Sequence, residues 1–231
     1  MQICNAELVD AKDLVWAERQ LCPTIFLMFV CLAAGRGTRM QPLTNYVHKA
    51  MIPFFGVPLL AYGILAVPVG AEIVIVVNYL KEQIAGYFGD TYRGRKIRYF
   101  TQTDPKGTGD ALFQFGAAFR PAHPIIVWQA DQMIFPEEIE ILSRTEPNAG
   151  IFSDTPRGLL DLGFWKLEPA TLARLKDSFD GSEHRALPVL ERDGLKQIKM
   201  PREKLELSFD TWEQIEQQCK QFRHAFPTAF H

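Results

Sequence analysis

The chain lacks a hydrophobic run long enough to cross a bilayer, a close pair of cysteines, and an excess of charge of either sign. Its apolar run Ile25-Phe26-Leu27-Met28-Phe29-Val30-Cys31-Leu32 is about half of the roughly 20 residues that a spanning helix requires, and it reads as a core strand. The segment before it carries Asp10, Lys12, Asp13, Glu18 and Arg19, so it has no apolar centre of the secretion-signal type, and no export is expected. Cys4, Cys22, Cys31 and Cys219 lack C-x-x-C spacing, which argues against structural zinc and suits a cytoplasmic, reducing location. Cys31, inside the apolar run, is expected to act as a small hydrophobe. With 25 Lys+Arg against 27 Asp+Glu, and no basic stretch interleaved with aromatics, nucleic acid is not an expected partner. Internal repeats, low-complexity tracts and an interdomain linker are also missing. So are two familiar phosphate motifs. A G-x-G-x-x-G fingerprint starting at Gly35 would need glycine where Met40 stands, and Gly35 and Gly37 cannot supply G-x-x-x-x-G-K-[ST].

What is present is an alternation of buried strands and amphipathic helices. At 231 residues the chain is long enough for one sizeable α/β core, and a single domain over residues 25–231 is expected behind an N-terminal extension, residues 1–24, in which Ala6 to Leu21 fits a helix. Strands are predicted at Ile25–Ala34, Ile73–Val77, Ile97–Thr101 and Ile125–Trp128, with helices at Tyr79–Gly89 and Thr108–Phe119. Such a pattern predicts an α/β fold with a mostly parallel central sheet covered by helices. A closing helix is predicted from Thr211 to Phe226, with Trp212, Ile215, Cys219, Phe222 and Phe226 on one core-facing stripe.

Chemistry concentrates behind the first strand. Gly35-Arg36-Gly37-Thr38-Arg39 can bring backbone N–H groups against a phosphate, because glycine has no Cβ to hold the ligand away. Arg39 and the later Lys49 add positive charge beside those amides. In open α/β sheets ligands gather outside the carboxyl ends of the strands, so this loop and Asp131, which follows the strand at Ile125–Trp128, can converge on one crevice.

The string from Leu32 to Thr44, LAAGRGTRMQPLT, followed by His48-Lys49-Ala50-Met51-Ile52-Pro53 and Gly56-Val57-Pro58-Leu59-Leu60, closely resembles the signature of the sugar-1-phosphate nucleotidyltransferases, the nucleoside-diphosphate-sugar pyrophosphorylases. The resemblance continues through Gln102-Thr103-Asp104-Pro105-Lys106-Gly107-Thr108-Gly109-Asp110-Ala111-Leu112, which looks like the family's base-reading segment. It implies a Rossmann-like three-layer fold. It also implies a nucleotide site made by Leu32, Ala33, Ala34, Gly35, Arg36, Gly37, Thr38, Gln102, Gly107 and Thr108. Arg39 and Lys49 are the implied catalytic cations, and Asp131 and Asp210 the ligands of Mg²⁺. Here Ala130 replaces the glycine that usually precedes the first metal carboxylate. Asp210, in Phe209-Asp210-Thr211-Trp212-Glu213, is equally placed to cap the closing helix.

The reaction so implied joins a nucleoside triphosphate (UTP, CTP or GTP) to a phosphomonoester acceptor and releases pyrophosphate. Positioning and charge neutralisation do the work, so neither a nucleophilic side chain nor any of the five histidines is required. The expected product is an activated sugar for cell-surface polysaccharide synthesis, and a homo-oligomer is compatible with this reading. His48-Lys49, where most sugar enzymes have Pro-Lys, is similar to the branch that cytidylylates phosphocholine or phosphonates, whereas Gly107-Thr108-x-x-Ala111-Leu112 and Asn78-Tyr79 look like the sugar branch. From Ala149 to Leu207 the chain is short against the family's sugar pocket; Gly150-Ile151-Phe152 and Asp161-Leu162-Gly163-Phe164-Trp165 look like its strands. No room is expected for an appended β-helix acyltransferase domain. A third reading is a non-catalytic nucleotide sensor on the same fold.

Overall fold

A computed structural model describes residues 27–155, 158–177, 184–200 and 211–217; the N-terminal extension and Asp210 lie outside them. In chain order the strands are β1 (Met28–Ala33), β2 (Pro53–Phe54), β3 (Val57–Pro58), β4 (Glu72–Val77), β5 (Thr91–Tyr92), β6 (Arg95–Thr101), β7 (Ile125–Gln129), β8 (Ala149–Thr155), β9 (Gly158–Leu167) and β10 (Lys196–Met200). The helices are α1 (Leu59–Ala66), α2 (Lys81–Phe88), α3 (Thr108–Phe119), α4 (Pro136–Arg144), α5 (Pro169–Arg174) and α6 (Ala186–Arg192).

Among the described residues eight strands form one sheet in the order β10-β8-β9-β7-β1-β4-β6-β5, and β2 and β3 pair separately. β1 lies parallel to both β4 and β7, β4 parallel to β6, and β10 parallel to β8. The short edge strand β5 runs antiparallel to β6, and β9 runs antiparallel to β7 and β8. The predicted mostly parallel sheet is thus observed, and the two later sequence fragments become β8 and β9, joined where Thr155 faces Gly158.

The central strands are apolar on both faces because both faces are covered. Phe29, Cys31, Ala33, Ile73, Ile75 and Trp128 pack on the side of α1, α2 and α4. Val30, Leu32, Val74, Val76, Ile125 and Val127 pack against α3, α5 and α6 on the other. The result is three layers. Cys31 is fully buried, and burial pushes its thiol pKa well up, so it behaves as the expected small hydrophobe. Two buried cations are held by backbone rather than by carboxylates. Arg95 donates to the carbonyls of Leu65, Val67 and Arg93, meeting the carboxyl end of α1, and Lys166 does the same for α4 through Ser143 and Thr145.

Two expectations need correction. The helix predicted at Tyr79–Gly89 begins at Lys81, because Leu80 takes a left-handed φ of 48°, and it stops at Gly89, φ 60°. Residues 212–217 are helical, but Trp212 is 41% exposed instead of sharing the core stripe, while Ile215 does pack on the core. The rest of that stripe, Cys219, Phe222 and Phe226, lies outside the described residues. The helix is capped by Thr211, whose hydroxyl accepts from Gln214 N–H while the Gln214 side chain accepts from Thr211 N–H. This reciprocal box closes the start of the helix; Asp210, also foreseen as a cap, lies outside the described residues. Among the described residues no helix is long and apolar enough to cross a membrane.

Candidate active site

The sheet's connectivity reverses at β1. After β1 the chain builds outward through β4 and β6, then crosses back under α3 to place β7 on the other flank. A crevice opens outside the carboxyl ends at such a reversal. The loop after β1 and the residues after β7 line it, forming a cavity of about 650 Å³. Every sequence-predicted site residue among those described lies on its wall: Leu32, Ala33, Ala34, Gly35, Arg36, Gly37, Thr38, Arg39, Lys49, Gln102, Gly107, Thr108 and Asp131. His48, Asn78 and Gln129 join them.

Backbone geometry explains the two glycines. Gly37 is left-handed, φ 62°, and an added Cβ would sit 3.0 Å from Lys49 Cβ and 3.2 Å from Thr44 Cγ2, so a side chain there would press on the lysine. Thr44 Oγ1 also donates to Gly37 O at 2.9 Å, fastening the turn. At Gly35 an added Cβ meets nothing within 4 Å; that position faces open space, where a ligand can approach. Arg36 and Arg39 are exposed on the same loop, and the Arg36 guanidinium lies over the Tyr79 ring, 5.3 Å from its centroid.

Lys49 sits on a short 3-10 turn, Lys49–Met51, and its Nζ donates to Asp131 Oδ2 at 2.6 Å. The pair bridges the two flanks of the crevice. Its side chains are 10% and 24% exposed, so the charges are neither buried alone nor freely solvated. His48 fixes the turn. Its Nδ1 accepts from Ala50 N–H at 3.1 Å, so Nε2 carries the proton and donates to Ala33 O at 3.0 Å. His48 N–H donates to Gln83 Oε1 on α2. Burial lowers the His48 pKa to about 4, so near neutral pH the ring is uncharged with both nitrogens engaged, and it is unsuited to acid–base work.

On the opposite wall Gln102 is buried, 1% exposed. Its Nε2 donates to Asp110 Oδ2 at 2.5 Å and lies 3.4 Å from Gly107 O, while Asn78 Nδ2 donates to the Gln102 backbone carbonyl. Gly107 adopts φ 125°, ψ −174°, a backbone shape open to glycine that brings bare main chain to the wall. Thr108 opens α3, and its hydroxyl accepts from Ala186 N–H. Sequence reasoning missed Asp110 and Gln83. Both are ordinary polar residues whose importance comes only from what the fold brings to them.

A divalent cation is implied by the resemblance. Asp131 offers hard carboxylate oxygens on the cavity wall. Among the described residues no group of three or more His, Cys, Asp or Glu could hold a metal. That donor set fits a cation held by one or two carboxylates with phosphates and water, and does not fit an all-protein cage.

The chain and its fold have known relatives. The family model described as Nucleotidyl transferase matches residues 28–151, the span from β1 into β8. UTP--glucose-1-phosphate uridylyltransferase AglF of Haloferax volcanii is 45% identical over 85 residues, 36% of this chain and 35% of that protein. The Bifunctional protein GlmU of Symbiobacterium thermophilum is 33% identical over 159 residues, 66% of this chain and 31% of that protein. The chain thus matches about a third of the length of these relatives. A UDP-glucose pyrophosphorylase solved with UDP-glucose shares the fold with a TM-score of 0.71 at 15% identity, covering 87% of this chain and all of that one. A putative glucose-1-phosphate thymidylyltransferase from Bacillus anthracis follows at 0.67 and 14%, covering 85% and 95%. With the family model spanning more than half of the chain, and the loop, lysine and aspartate gathered at one sheet reversal, the chain belongs to the nucleotidyl transferase family.

Proposed function

We propose that the chain transfers a nucleotidyl group from a nucleoside triphosphate to a sugar-1-phosphate, giving a nucleoside-diphosphate sugar and pyrophosphate. The observation that carries this reading is the Lys49–Asp131 pair, which shares one cavity with the glycine loop and Gln102. A phosphate oxygen of the sugar-1-phosphate forms a bond to the α-phosphorus, the bond from that phosphorus to the β-bridging oxygen breaks, and pyrophosphate departs with the electron pair. The Gly35–Thr38 amides and Arg39 receive the departing phosphates. Lys49 leaves its contact with Asp131 for the α-phosphate and the incoming phosphate, where charge accumulates in the transition state. Asp131, with Asp210, would hold Mg²⁺, which supplies charge neutralisation across the phosphates when bound. A phosphomonoester is largely a dianion at neutral pH, its second pKa being about 6, so no general base is needed, in keeping with the neutral, fully engaged His48.

That engagement also bears on the acceptor. His48 joins the end of β1 to α2 through Ala33 and Gln83, a structural task that explains a histidine before Lys49 without a phosphocholine or phosphonate acceptor. The relatives whose names specify a reaction take UTP and glucose-1-phosphate, or thymidylylate glucose-1-phosphate, which supports the sugar class. The product would feed cell-surface polysaccharide synthesis from the cytoplasm. The test is pyrophosphate release with each nucleotide against sugar-1-phosphates, phosphocholine and aminoethylphosphonate. Release is expected with a hexose- or heptose-1-phosphate. Turnover confined to CTP with a non-sugar acceptor would assign the cytidylyltransferase reading, and nucleotide binding without turnover would assign the sensor reading.

A further inference from the structure

We infer that Asp110 is a specificity-positioning residue: it locks the Gln102 amide so that its carbonyl oxygen faces the nucleotide cavity, selecting bases with a ring N–H donor (uracil, thymine or guanine) over cytosine and adenine. This rests on the proposed nucleotide site and names the base it takes. A glutamine is in principle ambiguous, since turning its amide exchanges a donor for an acceptor. In this fold the ambiguity is removed. Nε2 faces Asp110 Oδ2 at 2.5 Å and Gly107 O at 3.4 Å, and an ionised carboxylate and a carbonyl are acceptors only. A turned amide would set Oε1 against both of those oxygens, in a position 1% exposed to solvent, where water cannot relieve the repulsion.

Asp110 is itself held. Oδ2 also accepts from Gln114 Nε2 at 2.9 Å, one turn along α3, and faces Lys106 N at 3.4 Å. Gln114 is in turn clamped to the backbone of Thr103, donating to its carbonyl and accepting from its N–H. The loop from Thr103 to Gly107 and the first turns of α3 therefore form one frame around the Gln102 amide. Among the described residues no donor meets Gln102 Oε1, and Gln102 lines the cavity. A base placed there must bring the donor. The imide N–H of uracil or thymine and the lactam N–H of guanine do so, with a carbonyl beside them. Cytosine and adenine present a ring lone pair at that place, which faces Oε1 as a repulsion, and they can donate to it only from the neighbouring exocyclic amino group, by shifting out of the register that the imide or lactam edge takes.

The test measures binding of UTP, dTTP, GTP, CTP and ATP to the full chain by titration calorimetry with Mg²⁺, and kcat/KM for each with glucose-1-phosphate. UTP, dTTP or GTP should bind at least about tenfold more tightly than CTP and ATP, the worth of one hydrogen bond made against one refused. Which of the three leads reports whether the pocket takes a pyrimidine or a purine. In Asp110→Ala the amide is released, and the preference should shrink by about that factor, whereas Asp110→Asn, which keeps an acceptor oxygen, should preserve the ranking. Equal weakening of all five nucleotides in Asp110→Ala, in a protein with an unchanged circular dichroism spectrum, would reduce Asp110 to a structural role and overturn the inference, as would a wild type that ranks CTP or ATP first. Binding needs no turnover. If the ranking holds but no acceptor is used, the base inference stands and the transfer reading fails; if CTP is transferred best, the reverse is true.

Discussion

Lys49 and Asp131 hold opposite charges 2.6 Å apart on the wall of the cavity behind β1. Each is the natural partner of something the proposed reaction brings in, the lysine of phosphate oxygens and the aspartate of a divalent cation. Replacing either residue separates the two roles. Lys49→Ala should leave nucleotide binding within a few-fold of wild type and lower kcat by roughly 10²–10³, the usual cost of deleting one group that meets transition-state charge. If KM alone rises, Lys49 belongs to ground-state binding. Asp131→Asn should abolish the nucleotide-dependent electron paramagnetic resonance signal change of added Mn²⁺ while the melting curve stays cooperative, and an unaltered signal would remove Asp131 from metal binding. The types and spacing of these residues were legible in the sequence because Gly35, Gly37, Arg39 and Lys49 lie in one short stretch of chain. The grip on Gln102 was not, since Asp110 looks like any polar residue in the first turn of a helix until the fold sets its carboxylate against the amide.

At the scale of elements, the site is a junction between the end of β1, the 3-10 turn carrying Lys49, and α2. His48 makes that junction, its Nδ1 accepting from Ala50 N–H, its Nε2–H donating to Ala33 O and its backbone N–H donating to Gln83 Oε1. A ring buried in its neutral form ties stability to pH. Its ordinary pKa is 6.5 and its folded value about 4, so between these the unfolded chain binds a proton that the folded chain refuses. Its contribution is intact above about pH 6.5 and is lost as pH falls toward 4, by up to about 3 kcal/mol. Asp161 acts in the opposite sense. Burial raises its carboxyl pKa to about 6, so the folded state gains relative stability as pH falls through that value. The two are separated by difference: in urea denaturation, His48→Gln should lose less stability than wild type between pH 6.5 and 4.5. Parallel pH profiles for the two proteins would show that the ring is not buried uncharged. Element positions were read from sequence most closely where punctuation was strong. Thr108–Phe119 emerges with the predicted limits behind Gly107, whereas the start of α2 shifts by two residues because Leu80 takes a left-handed turn that its side chain does not advertise.

Across the whole molecule, the place of the cavity follows from where the sheet changes direction. β1 and β7 are separated by nearly a hundred residues, yet they lie side by side, and the loops after them share the cavity. The parallel core was legible because Ile73–Val77 and Ile125–Val127 are continuous apolar runs, which only strands covered on both faces can be. The later half was less so. β8 and β9 form a hairpin whose ladder carries a register shift between Gly150 and Phe152, and β10 reads Lys-Gln-Ile-Lys-Met, an edge sequence with little apolar signal. The most direct test of the account is phosphorus NMR of the wild-type protein with UTP, glucose-1-phosphate and Mg²⁺. The account predicts equimolar growth of free pyrophosphate and of a sugar-linked diphosphate, at the expense of the nucleotide's β resonance and the sugar monoester. Hydrolysis of UTP with the sugar monoester untouched, or no change in a folded protein that binds UTP, would contradict it.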